Sequence, residues 1–187
     1  QFRTAAPLQA HSRYRILATL IKDTKPLHPP TPALVPRAPR RIAAEPRWRP
    51  VGRYTSATLA ADVRVWLTDN GSLTGQLVAS GQGEFRVQRL YQGWEVPLAS
   101  ERRLLALLPR QLALVREVAL LLDSDAVVFA RSIFPIASLV GSLAHLRRLH
   151  NTSLGAILFK LPGMHRSPFE LVRLAGNSDY LPPGLQQ

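Results

Sequence analysis

The sequence predicts an α+β fold organised around one β-hairpin. Two apolar runs, Leu112–Leu122 and Ala126–Pro135, flank a short polar segment that begins with Asp123 and Ser124. Asp and Ser tolerate turn geometry and bond locally to backbone, so this pattern is typical of two antiparallel strands joined by a tight turn. Apolar and polar residues also alternate over 84–92, which predicts a half-buried strand.

Short helices are predicted around this hairpin from leucines at helical spacing. They are expected over residues 13–22, from Leu73 onwards, over 138–150, and from Leu154-Gly155 to Phe159, while residues 99–108 fit either a helix or a turn. Ser72 and Ser138 are candidate N-caps, because a hydroxyl can accept from a free N–H of the first turn. In the helix from Leu73, the residues expected to face the core are Leu73, Leu77 and Val78. Residues 99–108 carry Leu104, Leu105 and Leu108, and residues 138–150 place Leu139, Leu143 and Leu146 on one helical face.

Two arginines interrupt the apolar hairpin. Arg116 lies in the first run and Arg131 in the second. An unpaired guanidinium is costly to bury, so each of these side chains must face a partner or a ligand. What the two arginines face is therefore the main functional question that the hairpin raises.

The composition excludes several kinds of site. The chain has no cysteine, which rules out disulfides, thiolate metal sites and cysteine nucleophiles. No run of about 18 uncharged apolar residues is present, so no membrane span is expected. His145 and His150 lack ligand spacing, and Asp123 and Asp125 are expected to be solvated turn residues. Neither a metal nor a cofactor is predicted.

The positive charge is concentrated at the N-terminus. The net charge is +12, and residues 1–50 contain ten Lys/Arg against two Asp/Glu, with nine of the sixteen prolines. We expect an extended basic arm over residues 1–50 and a globular domain over 51–187. Such an arm favours a polyanion, most often RNA or DNA, although a solvated tail or a spacer on a protein surface fits as well. The candidate nucleic-acid contacts are Arg37, Arg40, Arg41, Arg47, Trp48 and Arg49.

Four segments together resemble a known family. They read WLTDNGSLTGQL, FRVQRLYQGWEVPL, ALVREVALLLDSDAVVFARSIFP and TSLGAILF, within residues 62–175. In this order they are similar to bacterial chorismate pyruvate-lyase, which makes 4-hydroxybenzoate by expelling pyruvate from chorismate. The resemblance implies an antiparallel β-sheet with helical flaps that close over a buried pocket.

The resemblance also implies roles for five residues. Arg116 corresponds to the hairpin arginine that grips the ligand carboxylate, for which a forked guanidinium is well suited. Leu73 opens the first flap, and Leu154 with Gly155 opens the second. Arg131 corresponds to a second arginine, with a structural or an electrostatic role.

The C-terminal segment departs from the family pattern. The family continues into two last strands that carry a glutamate of the reaction, whereas this sequence reads AGNSDYLPPGLQQ after Leu174. We expect the catalytic acid and these strands to be absent. The uncovered sheet edge would then be occupied by a partner, by the N-terminal arm or by the YLPPGL segment, with a partner preferred.

Three functions follow as hypotheses. The preferred one is a non-catalytic structural subunit of a large organellar ribonucleoprotein such as a mitochondrial ribosome, with RNA and neighbouring proteins as partners and no small ligand expected. The second is a divergent chorismate pyruvate-lyase that supplies 4-hydroxybenzoate for ubiquinone. The third, a ligand-sensing domain, requires a DNA-binding domain that the sequence does not show. The arginine- and alanine-rich N-terminus, poor in acidic residues, favours a mitochondrial location.

Overall fold

The fold comes from a computed structural model that describes residues 15–20, 42–160 and 167–186, with the backbone alone for 15–20. Its strands are β1 Arg15–Leu20, β2 Arg49–Pro50, β3 Phe85–Glu95, β4 Ala113–Leu122, β5 Asp125–Pro135 and β6 Glu170–Leu171. Its α-helices are α1 Ala61–Thr68, α2 Leu73–Ala79, α3 Ala99–Leu105 and α4 Gly155–Leu158. Short 3-10 helices cover Val51–Arg53, Ile136–Ser138, Gly141–Arg148 and Pro183–Leu185. The α+β class is confirmed.

The predicted hairpin forms the centre of a four-stranded antiparallel sheet in the order β1-β5-β4-β3. The turn is Asp123-Ser124, and Asp123 has φ 52°, in the left-handed region that Asp tolerates. Asp123 also anchors the start of β3, since its carboxylate accepts from the Glu84 N–H at 2.8 Å and its own N–H donates to the Glu84 carbonyl at 2.9 Å. The acidic turn therefore joins three strands.

Both faces of the sheet are covered, and β4 is buried along its whole length. Side chains alternate between the faces, so neighbours along a strand meet different layers. The face that carries Arg116, here called the helical face, packs against α2, α4 and the 3-10 helix Gly141–Arg148. The opposite face, here called the tail face, packs against α3 and the C-terminal residues 180–185. A central sheet between two layers explains why β4 and β5 are almost continuously apolar.

The predicted helix over residues 13–22 is wrong, because Arg15–Leu20 is a strand that pairs antiparallel with β5 from Arg15↔Ile133 to Leu20↔Val128. The open edge of β5 supplies a row of backbone partners, and this pairing overrides local helical spacing. The N-terminal segment of the same chain thus covers the β5 edge. Of the occupants considered for an open edge, the N-terminal segment is the one that lies along β5, and a partner in place of the missing C-terminal strands stays a prediction.

The C-terminal segment is irregular, as its composition predicts, yet it is buried. Tyr180, Leu181 and Leu185 belong to a core cluster on the tail face with Phe129. The Tyr180 ring meets the rings of Trp48 and Phe129 edge-on, with centroids 6.0 and 6.4 Å apart. This segment therefore supplies core to the domain.

Part of the predicted arm also lies against the domain. Ile42 and Trp48 pack on the same tail-face cluster. The Glu45 carboxylate accepts from the N–H groups of Ala99 at 2.6 Å and Ser100 at 2.8 Å, at the start of α3. Contacts with the domain thus begin before residue 50.

The helix predictions are confirmed to different degrees. Ser72 caps α2, accepting from the Gly75 N–H at 3.2 Å. Residues 138–150 form 3-10 turns without a Ser138 cap, but their leucines are buried in one cluster, as predicted: Leu139, Leu143 and Leu146. Helix α3 ends at Leu105, and both Leu104 within it and Leu108 beyond it are exposed. In α2, Leu77 is buried but Val78 is exposed, so the prediction that Val78 faces the core is wrong. In the described part of the chain, no helix has the length and apolarity that crossing a bilayer requires.

Candidate functional site

The candidate site is the surroundings of Arg116 on the helical face. Arg116 is 2% exposed and lies between the apolar clusters that contain Leu114 and Val118. Its Nη2 donates to the carbonyl oxygens of His150 and Thr152, each at 2.9 Å, whereas its Nε is buried with no hydrogen-bond partner. Two neutral carbonyls thus solvate the cation, and one donor is left unsatisfied.

The charge of Arg116 has no acidic counterpart in the part of the chain that the structure describes. Burial, and then the nearby Arg89, lower the pKa of Arg116 to about 10. The folded protein therefore holds this cation at an energetic cost, and an anion at the unsatisfied Nε would relieve it.

A loop over residues 149–153 closes the site on one side. Side-chain and backbone groups of β3 and α2 contact this loop. The Arg89 N–H donates to Asn151 Oδ1 at 3.2 Å, and Arg89 Nη1 lies 3.3 Å from His150 Nδ1. Thr74 Oγ1 lies 2.8 Å from Ser153 Oγ, which links the first turn of α2 to the residue before Leu154. The two predicted flap starts are therefore tied to each other.

The flap residues lie on either side of Arg116. Leu73 packs against the cluster of Val118, and Leu154 is buried in the cluster of Leu114. A Cβ on Gly155 would lie 3.5 Å from Ser72 Oγ, so the second flap approaches the cap of α2 closely. The structure thus brings together Arg116, Leu73, Leu154 and Gly155, which are four of the five pocket residues that the resemblance implied.

Gln92 is a polar residue of this site that the sequence analysis missed. It is the cross-strand partner of Arg116, so both side chains lie on the helical face. Its Nε2 donates to the Arg147 carbonyl at 2.7 Å, and its Oε1 is buried with no hydrogen-bond partner. The residue with a buried unsatisfied acceptor is therefore the cross-strand neighbour of the residue with a buried unsatisfied donor, and only the β3–β4 register reveals this pairing.

Arg131 lies on the tail face, away from the Arg116 site. Its Nε is 2.9 Å from Glu101 Oε1 and its Nη1 is 2.8 Å from Glu117 Oε1. Burial disfavours its charge, but Glu101 and then Glu117 outweigh that effect and raise its pKa. Of the two roles implied for Arg131, the geometry supports the structural one. Glu101 and Glu117 were not predicted, although a buried arginine in a strand requires acids of this kind.

The predicted nucleic-acid residues have different surroundings. Arg37, Arg40 and Arg41 lie outside the described residues. Arg47 and Arg49 are exposed, while Trp48 is half-buried and packs on the core. Among the described residues no group of three or more His, Asp and Glu could hold a metal ion.

Comparison with known proteins agrees with this architecture. The sequence profile of the family described as chorismate lyase matches residues 46–181. A "Probable chorismate pyruvate-lyase" of Marinobacter nauticus is 44% identical over 107 residues, or 57% of either chain. A protein of the same name from Methylobacillus flagellatus is 40% identical over 62% of this chain and 65% of its own length.

A third protein of that name, from Hydrogenovibrio crunogenus, is 32% identical over 129 residues, which is 69% of either chain. The chain spans between 55% and 65% of the length of the first three curated relatives that it matches. The matched region contains β2 to β6 and every residue of the Arg116 site. The chain belongs to the chorismate lyase family.

Proposed function

We propose that this protein is a chorismate pyruvate-lyase, which binds chorismate at Arg116 and releases pyruvate to leave 4-hydroxybenzoate. The observation that carries the proposal is a buried arginine, 2% exposed, whose described partners are two backbone carbonyls. Such a cation suits a carboxylate, because a charge-assisted bond repays the cost of burial that carbonyls only partly offset.

The charge of the site also suits this ligand. Chorismate carries two carboxylates, and the site holds Arg116 together with Arg89, whose charge acts on it. A ligand carboxylate that accepts from Nε of Arg116 would bring negative charge next to this guanidinium. Because such an anion stabilises the charged form, it offsets burial and then the repulsion from Arg89, and the ligand should raise the pKa of Arg116 from about 10 towards its usual value.

The walls of the site suit the ring of such a ligand. Leu73 and Leu154 place apolar side chains on the two sides of Arg116. An apolar site excludes water, which strengthens the bond between the guanidinium and a carboxylate. No residue of this sequence matches the family glutamate, so the chemical step is proposed from family membership and the binding step from Arg116.

The structural-subunit hypothesis has less support. The family match and the three named relatives favour the enzyme. An RNA partner and a mitochondrial location rest on the composition of residues 1–50 alone and stay predictions.

The test measures 4-hydroxybenzoate binding by calorimetry and pyruvate release from chorismate by a coupled assay. Arg116→Met should weaken binding by about 30-fold or more, since losing one partner of a buried charge pair typically costs at least about 2 kcal/mol. Arg148→Met, which removes an exposed arginine near the same loop, is the matched control. Unchanged binding in Arg116→Met would refute the site. Binding without pyruvate release would refute the lyase activity and leave the site standing.

A further inference from the structure

Large apolar side chains are exposed together at one end of the sheet. Strand β3 ends at Glu95, which pairs with Ala113 at the start of β4, and Ala113 pairs with Pro135 at the end of β5. The next residue beyond each of these strand ends therefore lies at the same end of the sheet. We call the exposed apolar residues there the apolar rim, which consists of Trp94, Val96, Leu108, Leu112 and Ile136.

The side chains of the apolar rim are exposed, and its most exposed member lies on backbone that hydrogen bonds hold in place. Its members are between 44% and 71% exposed, and Leu108 is the most exposed. Leu108 is held in a turn, because its N–H donates to Gln111 Oε1 at 3.0 Å and its carbonyl accepts from the Gln111 N–H at 3.1 Å. Single exposed apolar residues are ordinary, but five at one end of a sheet indicate an interaction surface.

Positive charge borders the apolar rim. Arg103 is exposed in the last turn of α3, and Arg110 is exposed on the segment that leads from α3 into β4. No Asp or Glu occurs over residues 102–116 or 126–169, and Glu101 is buried against Arg131. The only acid in the strand ends beside the rim is Glu95, which is half-buried. The surface is thus apolar at its centre and cationic at its border.

We propose that the apolar rim docks the protein onto an anionic lipid surface. Leu108 and Leu112 would enter the boundary between headgroups and acyl chains, and Arg103 and Arg110 would contact the anionic headgroups. Basic residues near such a surface each contribute to binding, and apolar side chains add to it by burial. Trp94 suits the same boundary, because an indole is apolar with one polar edge.

The other occupants fit less well. A twofold dimer would bury the same patch of both copies, so Arg103 and Arg110 of each copy would enter an interface in which Glu95 is the acid that the described strand ends beside the rim offer. A nucleic acid would leave the apolar centre facing phosphates. A lipid surface satisfies both parts of the patch at once. Docking also goes beyond the proposed function, since none of these residues contacts Arg116.

The first experiment measures co-sedimentation of the whole chain with vesicles of phosphatidylcholine mixed with phosphatidylglycerol, and with phosphatidylcholine alone. Binding should require phosphatidylglycerol. Arg103→Gln with Arg110→Gln should lower the partition coefficient roughly 30-fold, at about 1 kcal/mol for each cation. Arg53→Gln with Arg148→Gln removes two exposed arginines elsewhere, and should have a much smaller effect.

The apolar residues of the rim are tested with a double variant and a matched control. Leu108→Gln with Leu112→Gln should weaken vesicle binding, whereas Val65→Gln with Val78→Gln, which change exposed valines of α1 and α2, should not. Equal effects of the two pairs would overturn the proposal. Self-association of the protein that Leu108→Gln abolishes, with no vesicle binding, would also overturn it in favour of a second copy.

A second readout separates the rim from the basic residues 1–50, which could bind anionic vesicles by charge alone. Vesicles with brominated acyl chains quench an indole that enters the bilayer boundary. Trp94 is exposed, Trp48 packs against Tyr180 and Trp66 is half-buried, so quenching should occur and should be lost in Trp94→Phe. Vesicle binding with no quenching would show that the rim does not dock. This measurement uses the unmodified chain, so it holds even if a double variant fails to fold.

Discussion

Arg116 and Arg131 have the same side chain, lie on paired strands and are equally buried, yet their surroundings are opposite. Arg131 is 4% exposed and bonds to two glutamates, Glu101 and Glu117. Arg116 is 2% exposed and bonds to two carbonyls beside a third arginine, Arg89. The difference shows that burial alone does not mark a functional arginine; what matters is whether the protein supplies the counter-charge.

The shift of each pKa from its ordinary value reflects this difference. The glutamates raise the pKa of Arg131, while burial and Arg89 lower that of Arg116 to about 10. For a base, a lowered pKa means that the folded state disfavours the proton relative to the unfolded chain. The charged Arg116 therefore reduces the stability of the unliganded protein at neutral pH. An anionic ligand would remove part of this destabilisation when it binds, which favours binding.

The largest expected effect is on Arg131. Arg131→Met should lower the free energy of unfolding by about 3–5 kcal/mol, because it leaves two buried carboxylates without their cation. Urea unfolding at pH 7 measures the loss. The triple variant that adds Glu101→Gln and Glu117→Gln should recover much of it, and a triple variant as unstable as Arg131→Met would show that packing, rather than charge, is the cause.

Arg116 should behave in the opposite way. Arg116→Met should change the free energy of unfolding by no more than about 1 kcal/mol, since removing the unpaired charge offsets the two lost hydrogen bonds to carbonyls. The same variant should lose the rise in melting temperature that 4-hydroxybenzoate gives the unmodified protein. A destabilisation as large as that of Arg131→Met would mean that Arg116 is structural, and the contrast between the two arginines would fail.

Glu45 offers a pH test of the Arg131 side of the comparison between the two arginines. It binds the first turn of α3, the helix that carries Glu101 to Arg131. Burial raises the pKa of Glu45, but the N–H bonds from Ser100 and Ala99 and the charge of Arg102 outweigh it and lower the pKa below 4.5.

Because the folded pKa is lowered, the contribution of Glu45 is present above pH 4.5 and is lost as the pH falls through the folded value. Glu45→Gln should cost about 1 kcal/mol at pH 7, as for a helix cap, and should reduce the loss of stability on acidification. Thermal unfolding from pH 7 to pH 3 measures both. An unchanged pH profile in Glu45→Gln would exclude Glu45 as the titrating group.

The smallest expected effect is at the link between the flaps on the Arg116 side. Thr74→Val removes the hydrogen bond to Ser153 and should cost about 0.5 kcal/mol, the low end for a neutral hydrogen bond, because the two hydroxyls are only partly buried. Because that bond ties α2 to the loop that contacts Arg116, ligand binding should weaken by a few-fold as well. Thr68→Val, which removes a hydroxyl bond within α1, is the control and should leave ligand binding unchanged.

The sequence by itself determined the local features of the fold. The apolar runs around Asp123 predicted the β4–β5 hairpin, Ser72 predicted the cap of α2, and the position of Arg116 within a core strand predicted its burial. Each of these rests on residues close together in the chain, where periodicity and capping act directly.

Only the tertiary structure decided the features that depend on distant residues. Arg15–Leu20 is a strand because the edge of β5, more than a hundred residues away, offers it backbone partners. Arg131 is neutralised and Arg116 is not, because α3 brings Glu101 to one face of the sheet, while a loop brings carbonyls to the other. Strand pairing and counter-charge are long-range, and the same local sequence is compatible with several outcomes until the chain has packed.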